Sequence, residues 1–179
     1  MFYKRWLIHY LQRPAVTSFP RGADGAAPAH APQDVAPDKL FRQSLALRQL
    51  DGGSCNGCEA EIQLLGSPVY DLSRFGFTLS PSPRHADLLL VTGVVTEALV
   101  PVIHATYEAM PEPRLVVAVG ACATEDGGVF RGMPGAVGRL DGVVPVAARI
   151  PGCPPTPNDL LAGLLAAVGR PAAPAAEVR

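Results

Sequence analysis

The chain has 179 residues, 48% of them hydrophobic and only 17% charged, with a formal net charge of -1 and four cysteines. That length holds one domain with a sizeable core and excludes a second of ordinary size, and the near-neutral balance excludes the basic face of a nucleic-acid binder. Four cysteines are too few for a disulfide scaffold, no secretory signal is read ahead of them, and no run reaches the roughly 18 apolar residues that cross a bilayer. We therefore expect reduced thiols in a chain that is not an integral membrane protein. Its charge is sparse against the usual one quarter or so, which points to a surface covered by partners.

Met1 to Arg13 mixes Phe2, Tyr3, Trp6, Leu7, Ile8, Tyr10 and Leu11 with Lys4, Arg5, His9 and Arg13. This is the composition of an interfacial segment, lying on a membrane or on a membrane subunit, or else of a helix packed on its own domain. Pro14 ends it, and the Pro, Ala and Gly of Ala15 to Asp38 read as an extended linker. We divide the chain into residues 1–39 as segment and linker, 40–169 as the domain, and 170–179 as a flexible tail.

A first strand is predicted over Ser44 to Leu50, then a loop holding Cys55 and Cys58, then a helix over Glu59 to Leu65. Glu59 and Glu61 stand in the first turn of that helix, where its dipole favours acids. Val69 to Leu79 reads as a second strand region. Asp87 to Thr92 is a continuous apolar run of the kind buried on both faces of a parallel sheet. Thr96 to Met110 has helical spacing, with Thr96 as N-cap and Leu99, Ile103 and Tyr107 on one face. Arg114 to Gly120 is the next buried strand and delivers Cys122. A glycine-punctuated excursion follows through Asp141-Gly142, and Asp126-Gly127-Gly128 within it reads as a partner seat or a plain turn. Val143 to Ile150 is the last predicted strand, Cys153 follows it, and Thr156 and Pro157 open a helix that runs to Val168. Strands alternating with helices at this spacing imply an α/β fold, a flavodoxin-like parallel sheet with helices on both faces.

In such sheets ligands bind at the carboxyl ends of the strands, where Cys55, Cys58, Cys122 and Cys153 all fall. Four thiolates suit one [4Fe-4S] cluster, and the glycines beside them let backbone amides approach its sulfurs. Three other uses of the thiols stay open at this point. They are four buried cysteines acting as small hydrophobes, a structural zinc, and a Cys55/Cys58 dithiol that leaves Cys122 and Cys153 unexplained. Glu59 and Glu61 are candidates for proton transfer, or are plain first-turn acids. His85 and His104 read as surface or partly packed residues.

Cys-Asn-Gly-Cys-Glu, Gly-Ala-Cys-Ala with a later Gly-Gly-Val-Phe, and Gly-Cys-Pro-Pro together resemble the NADH-quinone oxidoreductase 20 kDa subunit family. This family is shared by respiratory complex I and the membrane-bound [NiFe] hydrogenases, and the resemblance covers about Leu45 to Val168. It implies that Cys55, Cys58, Cys122 and Cys153 hold a single [4Fe-4S] cluster. Complex I subunits carry two adjacent cysteines in the first motif, whereas Cys55 and Cys58 here are spaced as in the hydrogenase and formate hydrogenlyase branch. The loop from Cys122 to Gly127 is a residue longer than the family pattern. The resemblance further implies a non-catalytic electron-transfer subunit within an obligate hetero-oligomer, peripheral on the cytoplasmic side of the membrane. Its partners would be a ferredoxin-like iron-sulfur subunit, a hydrogenase-like or 49 kDa-like large subunit, and a membrane subunit. The alternatives are a complex I-like subunit passing electrons to quinone and a zinc-stabilised interaction protein.

Overall fold

A computed structural model describes residues 44–170, so the expectations for the N-terminal segment, the linker and all but the first residue of the tail lie outside the described residues. Five strands, β1 (Leu45–Asp51), β2 (Phe77–Leu79), β3 (Leu88–Thr92), β4 (Leu115–Val119) and β5 (Ala148–Ile150), form one sheet in the order β2-β1-β3-β4-β5. Every pairing is parallel. This is the flavodoxin-like order that the alternation of elements implies.

The sheet is central because its inner strands β3 and β4 have no polar face to offer. All five residues of β3 are buried, as a strand covered on both sides requires. Its alternate residues feed two cores. Leu88 and Leu90 join Leu45, Leu47, Val117, Val119 and Ile150 on one face, under helices α1 (Gly57–Leu64) and α4 (Pro157–Ala167) through Ile62, Leu160, Leu161, Leu164 and Leu165. Leu89 and Val91 join Val116 and Ala118 on the other face, under Ile103 and Tyr107 of helix α2 (Val100–Glu108) and under Leu140, Val143 and Val144. Helices thus cover both faces.

Three expectations need correction. Val69 to Leu79 is strand only over its last three residues. Leu72–Phe75 forms a 3-10 turn between Asp71 and Gly76, both at positive φ, and Leu72 enters the core from that turn. Val143 to Ile150 is strand only from Ala148. Val143 and Val144 are buried, but their amides donate to the Leu140 carbonyl, and Pro145 has no amide to extend a ladder. Thr96 does not cap α2. Leu99 stands at that position, with proline in the first turn, and the Thr96 amide donates instead to Gly52. In each case apolar or capping residues serve a turn rather than the regular element that their pattern resembles.

Helix α4 starts where expected. The Thr156 hydroxyl accepts from the Asp159 amide at 3.2 Å and the Asp159 carboxylate accepts from the Thr156 amide at 3.1 Å, a reciprocal capping box. Thr156→Ala removes the acceptor of the first arm and is expected to cost about 1 kcal/mol, read as a lower urea midpoint at unchanged slope. Gly163 lets α4 lie close on β5, since a Cβ there would stand 2.5 Å from Ile150 Cγ1.

Candidate metal centre

The first cysteine loop is shaped at the end of β1. Asp51 Oδ1 accepts from the amides of Gly53 and Ser54, both at 2.7 Å, and the Ser54 hydroxyl accepts from the Asn56 amide at 3.1 Å. Asn56 takes a left-handed φ of 70°, and α1 begins directly after it, two residues earlier than expected, so that Cys58 lies in its first turn. Cys55 is exposed and Cys58 only partly so. The loop stays tied to β3 beyond the regular ladder, because the Gly52 amide donates to Thr92 at 2.8 Å and the Val94 amide to Gly53 at 3.2 Å.

The other two cysteines are zipped together in the same way. The amides of Gly120 and Ala121 donate to Ile150 and Gly152 at 2.8 and 2.7 Å, which carries the β4–β5 pairing past both strand ends. Cys122 is buried within the short helix α3 (Ala121–Thr124), and Cys153 is exposed just after β5. The two halves meet across the sheet. A Cβ on Gly120 would stand 2.6 Å from Cys58 Sγ, and one on Gly57 would stand 3.6 Å from Cys55 Sγ and 3.9 Å from Pro154 Cβ. All four cysteines are free thiols beyond the carboxyl ends of β1, β4 and β5, with no side chain between Gly120 and Cys58. Among the described residues no three His, Cys, Asp or Glu side chains converge as closely as one metal ion requires. The thiols nonetheless act on one another. Burial first, then Glu59, Cys122, Cys55 and Cys153, push the Cys58 thiol up to about 12. Burial followed by Cys153 and Cys55 raises that of Cys122, against the lowering effect of the Val129 amide.

Residues 55–167, which contain every one of these cysteines, match the family described as NADH ubiquinone oxidoreductase, 20 Kd subunit. The chain belongs to this family. It is 43% identical over 131 residues to formate hydrogenlyase subunit 7 of Escherichia coli, covering 73% of this chain and 51% of that one, so it spans about half of that relative's length. It is 46% identical over 130 residues to the probable membrane-bound hydrogenase subunit mbhJ of Pyrococcus furiosus, covering 73% and 77% of the two chains. Among solved structures, a chain of an archaeal respiratory membrane complex, the membrane-bound sulfane sulfur reductase, superposes with a TM-score of 0.63 at 37% identity, covering 71% of this chain and 70% of its own. These relatives are, by name, subunits of oxidoreductase complexes. Among the described residues of this 20 kDa-family chain no helix is long and apolar enough to cross a membrane.

The two candidate acids of this 20 kDa-family chain part company. Glu59 is buried and accepts a hydrogen bond from the Thr92 hydroxyl, whereas Glu61 is only half-buried. His85 is exposed and His104 half-buried, as expected. Asp126, at a left-handed φ, is paired with Arg131 at 3.5 Å inside the excursion. Sequence reasoning missed Asp51, Thr92 and Gly120 as framing residues. The readable signal was the glycine that follows β1, β3 and β4 without exception, Gly52, Gly93 and Gly120.

The raised Cys58 thiol gives the metal-free domain a pH dependence of fixed sign. Below the ordinary thiol value of 9.0 both folded and unfolded chains keep the proton. Above it the unfolded chain releases the proton while the folded one holds it, so this contribution to stability is lost as pH rises from 9.0 toward about 12. The metal-free protein is expected to show a falling urea midpoint over that window, and Cys58→Ala to reduce the slope relative to the parent.

Proposed function

We propose that this chain is the electron-transfer subunit of a membrane-associated oxidoreductase complex, with one [4Fe-4S] cluster held by Cys55, Cys58, Cys122 and Cys153. The observation that carries this reading is four free thiols that all follow the carboxyl ends of parallel strands, with bare glycine where Cys58 meets the end of β4. The donor set fits the group. A cubane takes one thiolate at each of four irons, whereas a single zinc gathers all its sulfurs at about 2.3 Å. When bound, such a cluster accepts and gives up one electron at a time. The chain's own part is to bind it, to bury Cys122 away from solvent and to set the charge and hydrogen bonding around it. Four thiols leave none for a second cluster or for nickel, so both would come from neighbours.

In this reading the cluster relays electrons between a ferredoxin-like subunit and a [NiFe] hydrogenase-like large subunit, peripherally on the cytoplasmic side of the membrane. The spacing of Cys55 and Cys58, together with the hydrogenase names of the relatives, supports that branch. The family's description favours the second reading, a complex I-like subunit that passes electrons to quinone. Glu59 and Glu61 remain the proposed proton carriers.

Anaerobic purification with its partners, followed by iron, sulfide, nickel and zinc analysis and EPR of the reduced sample, tests all of this. About four irons and four sulfides per chain are expected, with nickel in the large partner for the hydrogenase branch and none for the quinone branch. One zinc and no iron, reproduced without oxygen, would overturn the redox reading in favour of a structural metal domain. Deleting Met1 to Arg13 is expected to weaken co-sedimentation with membranes at unchanged iron content.

A further inference from the structure

Glu59 is the only buried carboxylate among the described residues, with 5% of its surface exposed. One of its oxygens accepts from the Thr92 hydroxyl, and the other is buried with no hydrogen-bond partner. Thr92 is itself fully buried at the end of β3. Its hydroxyl lies 3.3 Å from the Leu50 carbonyl, and its own carbonyl accepts from the Gly52 amide at 2.8 Å. One residue thus touches the entry of the first cysteine loop at Leu50 and Gly52, and its exit at Glu59. Helix α1 does not by itself demand this inward acid, since Glu61, also near its start, stays half in solvent. A half-satisfied buried carboxylate is costly, and an apolar side chain of similar size would serve packing better.

We propose that Thr92 is a positioning residue that holds the Glu59 carboxylate beside the cluster site, fixing the Cys58 end of the loop and placing a negative charge that lowers the cluster's reduction potential. This rests on the reading that the four thiols hold a [4Fe-4S] cluster. Glu59 directly follows Cys58 in the first turn of α1 and is held inward by the Thr92 hydroxyl, so its carboxylate stands beside a proposed ligand. A fixed negative charge near a cluster opposes the extra electron, and charge with hydrogen bonding is what tunes such potentials.

The test is a redox titration of the intact, anaerobically purified complex, followed by EPR of the reduced cluster. Thr92→Val keeps the shape and removes the donor. It is expected to shift the midpoint potential and the g-values at unchanged iron content. Thr92→Ser, which keeps the hydroxyl, is expected to match the wild type, and Glu59→Gln, which removes the charge, to raise the potential. A potential and spectrum in Thr92→Val identical to wild type would overturn the proposal, as would Glu59→Gln with an unshifted potential. Should Thr92→Val fail to hold iron, Glu59→Gln decides the matter, because it leaves Thr92 in place. A wild-type complex without any cluster signal from this chain would instead remove the functional reading on which the inference stands.

Discussion

Cys122→Ser is expected to abolish the proposed [4Fe-4S] cluster, with iron falling from about four per chain to near zero and the reduced EPR signal lost. Cys122 is the buried one of the four thiols, so no solvent ligand replaces it easily. Serine offers a harder oxygen with a much higher pKa, in a place where burial already disfavours loss of a proton even from the thiol. The backbone of α3 does not depend on the sulfur. The amides of Ala123 and Thr124 donate to Gly120, and that of Glu125 to Ala121, so the variant is expected to keep its far-UV circular dichroism. An unaltered cluster spectrum in Cys122→Ser would take this residue out of the ligand set.

Gly120→Ala is expected to do comparable damage without touching a ligand. Gly120 has φ 87° and ψ 156°, a region of backbone space open essentially to glycine alone, where a side chain costs about 1–3 kcal/mol. The added methyl would also stand 2.6 Å from Cys58 Sγ, so either that sulfur or the β4 end must move. We expect most of the iron to be lost after anaerobic reconstitution and the urea midpoint to fall. Gly142→Ala is the control, since its Cβ meets nothing within 4 Å and its φ is not positive, and it is expected to retain wild-type iron. Equal iron in the two variants would show that the contact between Gly120 and Cys58 does not shape the site.

What was legible in the sequence follows a physical rule. Leu88 to Thr92 and Leu115 to Val119 could be read because a doubly covered strand needs an unbroken apolar run, and the start of α4 because its cap is local, held between Thr156 and Asp159. Val143 and Val144 misled because burial does not require a strand. Their side chains fill the core from a turn whose amides return to Leu140. The cysteines stood out because there are only four, each close behind a strand end. Their frame was hidden. Thr92 meets Glu59 across 33 residues of chain, through a register between β1 and β3 that composition does not encode, and Gly120 opposes Cys58 only once β4 lies two strands away from β1.

The short edge strand β5 sets Cys153 apart from the other three thiols. It is three residues long and pairs with β4 alone, whereas the loop bearing Cys55 and Cys58 grows from a seven-residue strand held on both sides. Local unfolding takes the least-supported element first. Fraying at β5 is therefore expected to displace Cys153 ahead of Cys55 and Cys58, so that on the proposed reading this is the ligand by which a cluster would first loosen. Among the described strands β5 is the last in chain order, so Cys153 is the last of the four proposed ligands to be added.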